Sequence, residues 1–64
     1  MSEEEWKKAF MKQFLSYFFE EDARDENFVR TVEATADEAW KRREEGEDPE
    51  DAADEEVTEW HDNA

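Results

Sequence analysis

Apolar and polar positions along this chain alternate with the period of a helix face. Trp6, Phe10, Phe14, Tyr17 and Phe18 recur at steps of three and four, the spacing of side chains on one side of an α-helix. Met11, Leu15 and Phe19 widen that stripe to about half the circumference, a width that suits a helix clasped by two others or one that also self-associates. Ser2 with Glu5 three residues later forms a capping-box start, and Lys7, Lys8 and Lys12 occupy the polar side. The pattern predicts a first helix over about residues 3–20. The period resumes at Phe28 and continues through Val29, Val32, Ala36, Ala39 and Trp40. Lys41, Arg42 and Arg43 then stand where cations complement the helix dipole, with Gly46 as the C′ residue, so a second helix is expected over about 26–45. Between the two, the run from Glu20 to Glu26 reads as a turn with N-cap candidates Asp22 and Asp25. A third helix, about 49–61, starts with Asp48 as N-cap, Pro49 at the first helical position and acids in the first turn, and its apolar positions are Ala53, Val57 and Trp60.

No segment shows the period of two that marks a strand, and no internal repeat is present. The expectation is one all-α domain over residues 1–64, a short three-helix bundle. Its core would hold the first-helix aromatics, the Val/Ala/Trp stripe of the second helix, and Val57 with Trp60 as a lid. Its contacts would be mostly local and its folding fast.

Charge changes this picture from a small domain to an unusual one. The 64 residues carry 22 acids and eight bases, a net charge of −14, whereas solubility needs a magnitude of only about 2–8. The distribution is uneven. Residues 1–19 are neutral, 20–26 carry −4, 27–43 carry +1, and 44–64 carry −11, with eleven acids and no Lys or Arg. A surface this acidic repels phosphates, which excludes direct nucleic-acid binding as the expected activity. Nine aromatic residues argue against simple acidic disorder. No run approaches the roughly 18 apolar residues of a membrane span, and the acidic start Ser2-Glu3-Glu4-Glu5 lacks the basic region of a signal peptide, so a cytoplasmic location is expected.

Candidate chemistry is sparse. With no Cys there is no disulfide, thiolate metal site or thiol nucleophile, and His61 is the only imidazole. Asp48 to Glu59 places acids at the first, third and twelfth positions of a calcium loop, but Ala53 stands where glycine is required and Pro49 starts a helix instead. No enzyme activity, metal or cofactor is expected. The acids themselves are the better signal. On a helix rising about 1.5 Å per residue, carboxylates at i and i+4 lie about 6 Å apart, close to the spacing of phosphates along a nucleic-acid strand. Glu47, Asp51, Glu55 and Glu59 make one such row; Glu50 and Asp54 begin a second, broken at Thr58 and resumed at Asp62. Like charges at this spacing cost a few tenths of a kcal/mol each. A solvated helix or salt adaptation are the bland accounts, although 15 Glu against seven Asp is not a halophile's pattern. Lys41, Arg42 and Arg43 read as dipole complement and ion-pair partners for the acidic helix rather than as a phosphate-binding patch.

The acidic groups Glu20-Glu21-Asp22, Asp25-Glu26, and the acids from Glu44 through Asp62 give the chain a resemblance, in size and charge rather than in any motif, to the small acidic DNA-mimic inhibitors of phages and mobile elements. It looks most like the anti-CRISPR proteins that block type I Cascade. The resemblance implies an inhibitor whose acidic surface occupies the nucleic-acid site of a basic protein or complex, a Cascade subunit among them, as a monomer or weak dimer in the host cytoplasm. The docking residues would be drawn from Glu20, Glu21, Asp22, Asp25, Glu26, Glu44, Glu45, Glu47, Asp48, Glu50, Asp51, Asp54, Glu55 and Glu59. Two other readings stay open: an adaptor docking through Met11, Leu15 and Phe19, and an antitoxin-like neutraliser of a basic partner.

Overall fold

The computed structural model describes residues 2–62, all α-helical or connecting turn. Four helices follow in order: α1 Glu3–Leu15, α2 Glu20–Arg24, α3 Glu26–Arg42 and α4 Pro49–Asp62. The three long helices form the expected bundle, with the short α2 inserted in the first connection. Contacts along α1 set the directions. Trp6 meets Trp40 at one end and Phe18 meets Phe28 at the other, so α3 runs antiparallel to α1. Trp6 meets Glu47, Gln13 meets Asp54 and Phe14 meets Trp60, so α4 runs parallel to α1.

The core is a column of rings that runs along α1 and into the turn after it. Trp6, Phe10, Phe14 and Phe18 stack at successive centroid distances of 5.7, 5.9 and 5.3 Å, the consequence of placing an aromatic at every fourth residue. Against this column pack the small residues Val32, Ala36 and Ala39 of α3 and Ala52, Ala53 and Val57 of α4. Trp40 closes one end edge-on; Trp60 and Phe28 close the other, with Trp60 centred 4.9 Å from Phe14. Trp60 is thus the lid the spacing anticipated. Truncating a fully buried ring such as Phe10 or Phe14 to alanine costs about 3–5 kcal/mol, as much as a domain this small has to lose.

The caps follow the sequence. Ser2 Oγ accepts the Glu5 amide at 3.3 Å, Asp25 accepts the amides of Asn27 and Phe28 at 2.9 and 3.4 Å, and Asp48 accepts that of Glu50 at 3.1 Å ahead of Pro49. Two helix ends differ from expectation. The first helix stops at Leu15 rather than near residue 20. The amides of Ser16, Tyr17 and Phe18 bond to carbonyls three residues back, and Ser16 Oγ donates to the Gln13 carbonyl at 2.6 Å; this tightened turn satisfies the open carbonyls and begins the reversal that brings Phe28 to Phe18. The segment read as a turn then forms α2, because Glu20, Glu21 and Asp22 all stand in a first turn, where carboxylates are stabilised by the helix dipole. The second helix stops at Arg42 rather than near 45. Arg43 is extended, and its guanidinium lies 3.2 Å from the Trp40 ring centroid while donating to the Trp40 carbonyl at 2.7 Å. Gly46 is therefore not a helix C′ residue. At φ +84° it is the third residue of a turn closed by the Glu47 amide on the Glu44 carbonyl at 3.0 Å, a position that needs a left-handed backbone.

Candidate acidic docking surface

Placing the fourteen acids on this frame sorts them by what each already does. Four serve the fold. Asp25 and Asp48 spend an oxygen on helix caps. Glu47 precedes α4 instead of lying on it; its carboxylate accepts the Glu44 amide at 3.2 Å and its carbonyl accepts the Trp6 indole N–H at 3.0 Å. Asp54 is half-buried against α1, where Oδ1 accepts both the Tyr17 hydroxyl and the Gln13 amide, the latter at 3.0 Å. The Tyr17 and Gln13 donors hold the Asp54 carboxyl below the usual carboxylate range, and the same bond, with desolvation, raises the Tyr17 phenol above its ordinary value.

The other ten are exposed: Glu20, Glu21 and Asp22 on α2, Glu26 in the first turn of α3, Glu44 and Glu45 in the α3–α4 connection, and Glu50, Asp51, Glu55 and Glu59 on α4. The two rows drawn from spacing do not share a face. At about 100° per residue, Glu50 and Asp54 point to the α1 side of α4, while Asp51, Glu55 and Glu59 lie about a third of a turn away, on the α3 side. The first row loses Glu47 to the loop and keeps three carboxylates, spanning about 12 Å of helix axis. The backbone of Asp62 continues α4; the side chains of Asp62 and His61 lie outside the described residues.

Three of the eight basic residues, Lys7, Arg42 and Arg43, are engaged within the fold. Lys7 pairs with Asp37 at 2.6 Å, a bond that raises the lysine pKa and lowers the aspartate's. Arg42 reaches Glu56 across the α3–α4 groove at 3.5 Å, and Arg43 covers Trp40. The sequence reading overlooked Glu56, which lies on the core-facing flank of α4 and is half-buried; its place one residue before Val57 was the available signal. It also placed Tyr17 on the buried stripe. With α1 ending at Leu15, Tyr17 is 53% exposed and Phe19 81% exposed, while Met11 and Leu15 pack on the core.

Among the described residues no three His, Asp or Glu side chains converge to hold a metal ion, and no helix is long and apolar enough to cross a membrane. In comparisons with protein-family models, curated proteins and solved structures, nothing matches this chain.

Proposed function

We propose that this protein is a non-enzymatic inhibitor that acts as a DNA mimic, its acidic surface filling the nucleic-acid site of a basic protein, with a CRISPR–Cas effector or another DNA-handling complex as the target. One observation carries the reading. Asp51, Glu55 and Glu59 form a row on α4, exposed and without an ion-pair partner among the described residues, although Arg42 and Arg43 line a groove together with Glu55 and Glu59. Like-charged neighbours at this spacing lower helix stability, so the row is maintained at a cost to the fold. A groove shaped for phosphates attracts such a row at long range and gives fast, salt-sensitive association. Mounting it on a helix packed against an aromatic column keeps the carboxylates fixed, which limits the entropy lost on docking.

The test is charge reversal. Asp51, Glu55 and Glu59 replaced together by Lys should abolish capture of the partner while circular dichroism shows the helices intact, and nucleic acid should compete with the native protein for the same partner. Binding that survives both the reversal and a several-fold increase in salt would end the proposal for this face; loss on reversing Glu20 and Glu21 instead would move the site to α2. The adaptor reading is less well supported, because Met11 and Leu15 are engaged by the core and leave Phe19 as the apolar residue most open to a partner.

A further inference from the structure

The side of the bundle turned away from α4 differs from the rest of the surface in both charge and covering. Between α1 and α3 it holds an open groove of about 440 Å³, lined by Met11 and Ala36 between charged rims. Leu15 and Val29 continue the seam, and like Met11 they are only half-buried, so an apolar strip reaches the surface here. At about 100° per residue, Lys8 and Lys12 of α1 and Arg30 and Lys41 of α3 point to this side, together with Glu4, Glu26, Glu33 and Asp37. Four of the chain's eight bases thus balance four acids on one face of a molecule whose net charge is −14.

The charges are also ordered along the helices. Trp6 against Trp40, Lys7 against Asp37 and Phe18 against Phe28 fix the register of α1 on α3. That register puts Glu4 level with Lys41, Lys8 with Asp37, and Lys12 with Glu33, an acid opposite a base each time. Of these six, Asp37 alone has an ion-pair partner among the described residues. A two-fold axis parallel to the helices keeps every residue at its level while laying α1 of each molecule over α3 of the other, so all three pairings recur between the copies, twice each. A partner of one sign would match only half of these charges. We infer that this face pairs with the same face of a second copy, with the apolar strips closing on each other between the two charge ladders. The two α4 helices then lie on the outer sides, separated by both α1–α3 layers and by more than the roughly 8 Å over which charge acts at physiological salt. The face is about 20 Å long and two helices wide, or about 400 Å² per copy, half of a standard interface, which fits a weak dimer. The inference stands apart from the DNA-mimic reading, which rests on α4.

Sedimentation equilibrium with charge-reversed variants tests it. The native protein should rise from its monomer mass of 7.7 kDa toward twice that between about 0.05 and 1 mM, the range that suits an interface of this size. Lys12→Glu and Glu33→Lys each set two like-charged pairs into the dimer and should weaken it about tenfold or more. Both side chains are exposed, so circular dichroism should show the helices intact. Glu33→Lys lowers the net charge from −14 to −12, which by overall repulsion alone would favour association. Mixing the two variants should restore the dimer, because each altered residue then meets its opposite in the other copy. A native protein that stays monomeric up to about 1 mM, a Glu33→Lys variant that associates as well as the native chain, or a mixture no larger than either variant alone overturns the inference.

Discussion

Neutralising the middle and end of the α4 row should make the protein more stable. In the double variant Glu55→Gln with Glu59→Gln, two like-charged i,i+4 contacts disappear, Asp51 with Glu55 and Glu55 with Glu59. Each is worth about 0.2–0.5 kcal/mol, so the gain is about 0.4–1 kcal/mol. Asp51 is retained because it lies in the first turn, where a carboxylate is stabilised by the helix dipole and its removal would offset the gain. Neither substituted side chain is buried or paired with a base among the described residues, so little is lost in exchange. For a domain of this size 1 kcal/mol moves Tm by about 4–8 °C, which places the expected rise at about 2–8 °C. Thermal unfolding followed at 222 nm across a salt series gives a second, independent readout. The native protein should gain stability as salt screens the row, and the double variant should gain less. A variant with equal or lower Tm, or an unchanged salt slope, would show that the row is not under electrostatic strain, and the argument that it is kept for a partner would lose its basis.

Three further outcomes follow from the geometry. Trp6→Phe removes the indole donor and leaves the Glu47 carbonyl without its partner, which should cost about 1–3 kcal/mol in urea unfolding. Tyr17→Phe removes the hydroxyl that bonds Asp54, so pH-dependent stability should change at both ends. The depressed Asp54 pKa contributes stability that is present above its unfolded value and lost as pH falls through the folded one, whereas the raised Tyr17 pKa contributes stability lost as pH rises through the phenol's folded value; both arms should flatten in the variant, as read by unfolding midpoints across pH. Phe19→Ser places a capping side chain at the start of α2 and should raise stability by about 0.5–1 kcal/mol, as read by calorimetry.

The long helices were legible because their signals are local and redundant. Ser2, Asp25 and Asp48 announced their caps, and the four-residue spacing from Trp6 to Phe18 announced the ring column. The ends were not legible where the decision was tertiary. Nothing between Leu15 and Phe19 is a strong helix breaker; α1 stops there because the chain must turn back for Phe28 to meet Phe18. Likewise Arg43 leaves α3 to lie over Trp40, a contact that helical periodicity does not encode. Of the acids, spacing put Asp51, Glu55 and Glu59 in one row with Glu47 and Asp54 in another, but it gave no sign that Asp54 is engaged, since only the position of α1 shows that Tyr17 and Gln13 have claimed it. The exposure of Phe19 was hidden for the same reason as the end of α1, because the four-residue period of Met11 and Leu15 continues through it.

The division of labour in the core has a consequence for how such a protein changes over time. The large, shape-determining side chains belong to α1, whereas α4 contributes Ala52, Ala53 and Val57 to the buried interior and closes with Trp60. Most outward positions of α4 can therefore be rewritten without disturbing the fit of the bundle. The spacing of its exposed carboxylates can be redrawn one codon at a time while the same folded frame is kept throughout.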